Sequence, residues 1–535
     1  MPLLRDDGAA SSSSSSSDDG ELETLLGGPK AGRGRAPGGG ARGSALADHW
    51  AAASLFCSPR YRVPMCVVWA TALGGAMHEP AVPFFYLSLG LTAAQIGQAG
   101  GILTAGSLLL APVYGWIFDK HSSLLALVIA ISLCGGGCLL RALATGPPTV
   151  LLAALVMSVD GSFESLVLAF VARDQPAKAG GGVHGGLCKG AVISAFLFQV
   201  QACRIAGRGL YPAWNWGVRA VLGTRDDDEE AHEPGVGVGA SQLLRYRIVL
   251  ASCVVPCVLG FVALLLLCLG RCPAPPTTPT PVAMAAVPAA DRGGSGQQAA
   301  GVAARRRGGG WCAGAALGVS LFAQGAVTAL TYTVWPLFLR AHFRLDDDGF
   351  APLLLASSLA AALAVLAVPS LQRWLRGGAM RSAAIAATGA GLLTPLAFAV
   401  QCPASALPLH SALTLLGIGC AAWLDTALKS AASESLPRGW QGSVFGAAAS
   451  LTGLGSVTAN VLGTMLYQNS FASISSHQAN ASQAEAAALA GPVDCGGGGL
   501  WVGVERAAVG AGGELPFQLI GALLLVAASG LVLAA

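Results

Sequence analysis

The chain has 535 residues, of which 53% are hydrophobic and only 11% are charged. Soluble globular proteins carry about 25% charged residues, so this composition excludes a soluble multidomain protein and favours one that spans a lipid bilayer. The net charge of +3 is too small to indicate a nucleic-acid-binding protein. We therefore expect the lipid bilayer as a partner and no nucleic acid.

Residues 1–62 have the composition of a disordered tail. A serine homopolymer at 11–17 is followed by acidic residues and then by Gly/Arg-rich sequence, and such a segment cannot bury a core. Within it, Glu21, Leu25 and Leu26 fit the acidic dileucine sorting pattern D/E-x-x-x-L-L. The pattern bears on which membrane holds the protein. We expect a multi-pass integral membrane protein of either the plasma membrane or a vacuolar or endolysosomal membrane.

Twelve apolar stretches follow the tail, each near the length of about 20 residues that crosses a bilayer. The first six are 63–87, 95–118, 123–143, 149–171, 185–204 and 246–270. The second six are 311–339, 350–371, 382–401, 409–430, 442–467 and 515–535.

These stretches divide the chain into an N-terminal six-helix bundle, 63–270, and a C-terminal six-helix bundle, 311–535. The linker between them, 271–310, ends in three arginines. Basic residues mark cytosolic loops, so we expect the tail and the linker to be cytosolic. The loop 468–514 then lies outside, which agrees with a glycosylation sequon at Asn480.

The two bundles repeat each other. Pro83 and Pro336 lie near the ends of the first and seventh stretches, 253 positions apart. Gly182 lies just before the fifth stretch and Gly442 begins the eleventh, 260 positions apart. A near-constant offset of this size indicates a duplicated six-helix unit. Parallel six-helix repeats build one large class of transporter, with the substrate site between the halves.

The stretch 74–123 resembles the opening of the major facilitator superfamily, most clearly in LGLTAAQIG at 89–97 and in the following APVYGWIFDK. Gly115, Asp119 and Lys120 match the superfamily loop motif G-x-x-x-D-R/K-x-G-R-R. The resemblance implies an all-α membrane protein with twelve transmembrane helices in two six-helix repeats. It also implies that these three residues form a conformational latch.

Two departures leave the subfamily unassigned. The opening is similar to that of drug:proton antiporters, but the stretch 156–161 lacks the arginine of their fourth-helix motif, and 185–204 lacks the proline of their fifth-helix motif. The loop motif itself fails after Lys120, where His and Ser replace the glycine and the basic pair.

Charged side chains inside the membrane cost at least about 2.5–3.5 kcal/mol each, which makes them functional candidates. Asp160 and Glu164 lie four residues apart on one helix face, so one carboxyl group is expected to hold a proton more tightly and to couple transport to protons. The alternative is that both only line a water-filled cavity. Asp425 and Lys429 have the same spacing in the tenth stretch and can neutralise each other, either functionally or as a structural ion pair.

The first stretch carries His78 and Glu79 immediately before Pro80. Proline loosens a membrane helix and frees a carbonyl group, so Glu79 is the best single candidate for a proton or cation ligand. His78 titrates near neutral pH in its ordinary state, although a single histidine more often serves packing.

These features predict a secondary active transporter of a small solute, coupled to protons and working by alternating access. A facilitative uniporter of the same fold and a non-transporting receptor are the alternatives. No nucleotide-binding loop, metal-ligand spacing or reactive His/Asp arrangement is present in the sequence, so we expect neither an enzyme nor a cofactor or metal. We expect the protein to function as a monomer, and the acidic residues favour a neutral or cationic solute.

Overall fold

The protein, described here from a computed structural model, is built of α-helices, as its apolar stretches predict. The structure describes residues 45–120, 123–158, 164, 167, 189–223, 240–269, 296–375, 378–400, 404–435, 441–469 and 515–534. No β-strand occurs among them.

The helices of the N-terminal half correspond to the first six predicted stretches, with one additional helix before them. They are α1 (Ala45–Phe56), α2 (Pro59–His78), α3 (Val82–Ser88), α4 (Ala93–Lys120), α5 (Ser123–Ala142), α6 (Pro147–Met157), α7 (Lys189–Leu222), α8 (Ala240–Ser252) and α9 (Val254–Leu269).

The helices of the C-terminal half correspond to the second six stretches. They are α10 (Gly296–Thr333), α11 (Trp335–Phe343), α12 (Asp347–Trp374), α13 (Gly378–Ala399), α14 (Leu407–Ser435), α15 (Gln441–Thr458) and α16 (Leu515–Ala534). A short 3₁₀ turn, Ala404–Ala406, precedes α14.

Seven helical segments of the described chain are long and apolar enough to cross a membrane: Leu125–Ala142, Ala240–Leu266, Gly314–Thr333, Asp347–Trp374, Gly378–Ala399, Leu407–Ala432 and Leu515–Leu533. Each of the twelve predicted stretches contains a helix. The count of twelve membrane crossings stays a prediction.

The first helix of each half is interrupted near a proline. Helix α2 ends at His78, and the chain resumes as α3 at Val82, on either side of Pro80. Helix α10 ends at Thr333, and one residue, Val334, separates it from α11, which carries Pro336 in its first turn. Proline has no N–H to donate to the preceding turn, which weakens the helix at both places, although α2, α7, α12 and α13 each continue through a proline elsewhere.

Three boundaries differ from the sequence-based expectation. The predicted tail, 1–62, was expected to be disordered, but α1 and the start of α2 make residues 45–56 and 59–62 helical. Helix α1 packs on α7, where the amide of Gln199 donates to the carbonyl of Ala53 at 3.3 Å and Phe56 is fully buried.

The other two differences lengthen helices into predicted loops. Helix α7 continues to Leu222 although its predicted stretch ends at 204, and α10 begins at Gly296, inside the predicted linker 271–310. The extension of α7 carries charged and polar residues, which lower its hydropathy but not its ability to form a helix. Hydropathy therefore underestimates the length of α7.

Helices α7 and α12 form an antiparallel seam between the two halves. Ser194 donates to the carbonyl of Val365 at 2.8 Å, and Arg208 donates to the carbonyl of Leu354 at 3.1 Å. An aromatic core lies beside the seam and draws on both halves, since Phe84 contacts Phe350 with ring centroids 6.1 Å apart.

A second seam joins α4 to α15 and to the π-helical turn that follows it, Ala459–Gly463. A side chain at Gly97 would overlap the hydroxyl group of Thr464, and one at Gly100 would lie 3.1 Å from the amide carbon of Asn460. Only glycine allows the two backbones to approach this closely. The backbone N–H of Ala94 also donates to Gln468 at 3.0 Å across this seam.

Candidate functional site

Glu79 lies at the interruption of the first helix, where it meets α7 of the same half. Nε of Arg208 donates to Oε2 of Glu79 at 2.8 Å, and Nη2 of Arg208 donates to the same oxygen at 2.5 Å. The side chain of Arg208 is 2% exposed, whereas that of Glu79 is 28% exposed. The pair is thus a charge-assisted contact with one deeply buried partner and one more accessible partner.

Arg208 also bonds to the opposite half of the protein. Its Nη1 donates to the carbonyl of Leu354 at 3.1 Å and to the hydroxyl group of Ser358, both on α12. Its Nη2 donates to the hydroxyl group of Tyr332, on α10, at 3.1 Å. One buried guanidinium group therefore joins the Glu79 carboxylate of one half to two helices of the other.

Glu164 forms a similar but more exposed ion pair with Arg204, which lies one turn before Arg208 on α7. Nη2 of Arg204 donates to Oε1 of Glu164 at 2.7 Å, and the two side chains are 28% and 32% exposed. The predicted partner of Glu164, Asp160, lies outside the described residues. The structure thus gives Glu164 an arginine partner that the sequence-based hypothesis did not include.

Asp425 and Lys429 form the ion pair that their spacing predicts. Nζ of Lys429 donates to Oδ2 of Asp425 at 2.7 Å within one turn of α14. The contact neutralises both charges locally, and the role of the pair, functional or structural, stays a prediction.

His78 is held by both ring nitrogens. Nη1 of Arg141 lies 2.8 Å from Nε2, and Nδ1 lies 3.0 Å from the carbonyl oxygen of Gly74. Arginine only donates, so Nε2 accepts and Nδ1 donates, which requires the neutral imidazole. His78 thus links α2 to Arg141 at the end of α5, and proton coupling through His78 or Glu79 stays a prediction.

A second buried carboxylate, Asp347, begins α12 and is surrounded by donors from the N-terminal half. Its Oδ2 accepts from Tyr211 at 2.6 Å and from Asn215 at 3.4 Å. Its Oδ1 accepts from Tyr246 at 3.0 Å and from Arg245 at 3.2 Å. The side chain is 1% exposed, so this cluster closes the end of the α7–α12 seam.

The two neighbouring aspartates perform different tasks. Asp348 forms an ion pair with Arg219 and accepts from Asn215 at 2.7 Å, which adds a more exposed contact to the same closure. Asp346 is exposed and caps α12 by accepting from the backbone N–H of Gly349 at 2.8 Å.

Sequence reasoning missed Arg208 and the Asp347 cluster because it ended the fifth stretch at residue 204. The signal was nonetheless present: polar residues recur at spacings of four, three, four and four along one face of α7, at positions 204, 208, 211, 215 and 219. A polar stripe of this period is typical of a helix that lines an interface between bundles.

Several predicted residues lie beyond what the structure describes. Gly115, Asp119 and Lys120 belong to the helical backbone of α4, but their side chains are outside the described set. The sorting pattern at Glu21, Leu25 and Leu26 and the sequon at Asn480 also lie outside it. Their roles stay predictions. No group of His, Cys, Asp and Glu that could hold a metal ion occurs among the described residues.

No protein-family model and no curated protein sequence matches the chain. Solved structures do match it over nearly their whole length. The nucleoside transporter NupG, as its D323A mutant, is 13% identical with a TM-score of 0.54, covering 89% of this chain and 100% of NupG. The human organic anion transporter MFSD10 (TETRAN) is 14% identical with a TM-score of 0.50, covering 88% and 98%.

A third similar structure is a bacterial homologue of the human lysosomal transporter Spinster, in an inward-facing and unoccupied conformation. It is 15% identical, with a TM-score of 0.53, and the match covers 92% of this chain and 97% of the homologue. At these identities the likeness establishes the fold. The chain therefore has the major facilitator fold expected from its sequence, and it is an integral, multi-pass membrane protein.

Proposed function

We propose that the protein is a secondary active transporter that moves a small solute by alternating access and couples that movement to protons through Glu79. The observation that carries this proposal is the position of Arg208, which bonds to Glu79 in its own half and to α10 and α12 in the other. The major facilitator fold, with its two halves, supports the alternating-access part.

The coupling follows from the electrostatics of a buried ion pair. While Glu79 is ionised, it compensates the charge of Arg208 inside the protein. When Glu79 takes a proton, Arg208 keeps its charge in a low-dielectric site without that compensation, which is costly. The arrangement that buries Arg208 across the two halves loses stability, and the halves are released to move. Protonation and opening are then linked through one free-energy difference.

The structure supports assignment to a state closed at the Asp347 end. Donors of the N-terminal half surround Asp347 on the α7–α12 seam, and Ala94 bonds to Gln468 on the α4–α15 seam. With the orientation predicted from the basic loops, this end faces outside. The solute would therefore exchange with the opposite, cytosolic side in this state.

Glu79→Gln is expected to abolish solute accumulation driven by a proton gradient while sparing exchange of solute across the membrane. Glutamine has the size of the protonated acid and cannot release a proton, so it fixes one protonation state. The measurement is uptake of a panel of labelled solutes into reconstituted vesicles, with and without a pH gradient, for the wild type and the variant.

Asp346→Asn is the matched control, since Asp346 is an exposed helix cap, and its uptake should equal that of the wild type. Wild-type uptake that ignores the pH gradient would identify a facilitative uniporter. Binding of a solute without any flux would identify a receptor.

The proposed orientation makes a separate prediction. A cysteine introduced into 271–310 should react with an impermeant thiol reagent only from the cytosolic side, and one in 468–514 only from the other side. The reason is the excess of basic residues in the loops assigned to the cytosol. Labelling of both segments from the same side would contradict the assignment of twelve membrane crossings.

A further inference from the structure

We propose, building on the function above, that the transported solute is an anion whose acidic group replaces the Glu79 carboxylate on Arg208. The sequence alone favours a neutral or cationic solute, because it places several acidic residues inside the membrane. The contacts of those residues in the structure point the other way.

Each described acidic candidate is already paired with a base. Glu79 is paired with Arg208, Glu164 with Arg204, and Asp425 with Lys429. These carboxylates therefore supply no net negative charge with which to attract a cation. A solute that binds here must compete with an existing ion pair, and the group that competes with a carboxylate for arginine is another anion.

Arg208 leaves room for an anion only at one place. Its five N–H groups serve Oε2 of Glu79 twice, the hydroxyl group of Tyr332, and three acceptors on α12. The α12 acceptors, the carbonyl of Leu354 and the hydroxyl groups of Ser357 and Ser358, belong to buried residues. Glu79 and Tyr332 form the accessible edge, and of these two Glu79 carries the charge.

The second carboxylate oxygen of Glu79, Oε1, receives neither of the bonds from Arg208. Among the described residues nothing donates a hydrogen bond to Oε1, whereas Oε2 receives both bonds from Arg208. A proton added at Oε1 neutralises the carboxylate. The place that the carboxylate occupies beside Arg208 stays accessible to a solute. The two N–H groups directed at Oε2 then suit one carboxylate or phosphate group of a solute, in the two-bond geometry that arginine favours.

The exchange balances in charge. One proton binds Glu79, one anionic group binds Arg208, and no covalent bond is made or broken. The net charge of the site is the same before and after, so transport of a monoanion with one proton is electroneutral. The charged and titratable groups that act on Glu79 are Arg204 and Arg208 from α7 and His78 on its own helix. Arg208 in turn bonds to Tyr332 of α10 and to Ser357 and Ser358 of α12.

The test restores the missing carboxylate from solution. The full chain is purified as the wild type and as Glu79→Ala, and thermal unfolding is followed with added sodium acetate, acetamide or sodium chloride. Glu79→Ala should have a lower Tm than the wild type. Acetate should recover more than half of that loss in a saturable manner, while acetamide and chloride should recover none, because only acetate supplies a carboxylate to Arg208.

Two further arms keep the test decisive. In Glu79→Ala/Arg208→Ala the effect of acetate should disappear, since the arginine that binds it is gone. In the wild type, acetate should raise the Tm more in mildly acidic than in alkaline buffer, because acetate binding to Arg208 is linked to proton uptake by the displaced Glu79. This arm does not require Glu79→Ala to fold. Equal effects of acetate and acetamide, or no effect of acetate in either arm, would overturn the proposal.

The outcome separates this inference from the transport function. Acetate binding is measured without any flux, so acetate rescue would support the anion site even if vesicles showed no uptake. Conversely, proton-driven uptake of neutral solutes alone would leave the transporter in place and refute the anionic solute.

Discussion

Replacing Arg208 with methionine is expected to lower the free energy of unfolding by about 3–5 kcal/mol, the usual cost of removing one partner of a buried ion pair. Methionine fills much of the space of the arginine stem but provides no donors. Glu79 would then keep its charge without a partner, and the contacts to Leu354 and Ser358 across the seam would be lost. Unfolding in mixed detergent micelles, followed by circular dichroism, measures the change.

Arg204→Met provides the matched control for this variant. Arg204 lies one turn away on the same helix and also binds a glutamate, but its pair with Glu164 is about one third exposed. Both partners of this pair are partly exposed, whereas Arg208 is fully buried, and a partly exposed pair contributes less than a buried one, so Arg204→Met should be the more stable of the two variants. Adding Glu79→Gln to Arg208→Met should recover most of the loss, since no unpaired charge remains. Equal stability of the two arginine variants would contradict the assignment of Arg208 as a buried link.

Asp347→Ala is expected to open the end of the bundle that this residue closes. Tyr211, Tyr246 and Arg245 all donate to the Asp347 carboxylate in a buried site. A buried donor that loses its acceptor costs about 1–3 kcal/mol, and the closed arrangement carries this cost for each of them. Separation of the halves exposes the donors to water, so the open state gains population.

Distance measurements between spin labels at Thr92 and Ala341 report this opening, because the two exposed residues lie at that end on opposite halves. The distance distribution should shift to longer values in Asp347→Ala. Asp346→Ala is the neighbouring control: it removes only a helix cap, worth about 1 kcal/mol, and should leave the distances as in the wild type. An unchanged distribution in Asp347→Ala would show that the cluster does not hold the halves together.

The fold was predictable from sequence because its main signal is local. Apolar stretches of membrane-spanning length locate a helix at each of twelve places, and the prolines at positions 80 and 336 locate the interruptions of α2 and α10. The pair Asp425–Lys429 was equally readable, since four residues of one helix separate its members.

The centre of the site was not predictable in the same way. Glu79 and Arg208 lie 129 residues apart, and Tyr211 and Asp347 lie 136 apart. Hydropathy assigned Arg208 to a loop, because the charged residues of α7 lower its hydropathy. It also placed Asp347 in a loop, as one of three consecutive aspartates. Which of the three is buried depends on the helices that α12 meets, and no local pattern contains that information.

The neutral state of His78 shows a related limit. From the sequence, its position beside Glu79 and Pro80 was compatible with a titrating role, although packing is the commoner role of a single histidine. The structure places Arg141, 63 residues away, against Nε2. A cationic donor at that nitrogen disfavours a second positive charge. The chemistry of the imidazole is therefore set by a residue from another helix.

The π-helical turn at Ala459–Gly463 makes the number of residues in this segment matter as much as their identity. A π turn holds one residue more than the surrounding α-helix can accommodate. Removing that residue would rotate everything after it by roughly 100°, carrying Thr464 away from Gly97 and Gln468 away from Ala94. The segment thus tolerates exchange of an exposed side chain such as Leu462 far better than a single-codon deletion. The number of residues in this segment is therefore constrained as well as their identity.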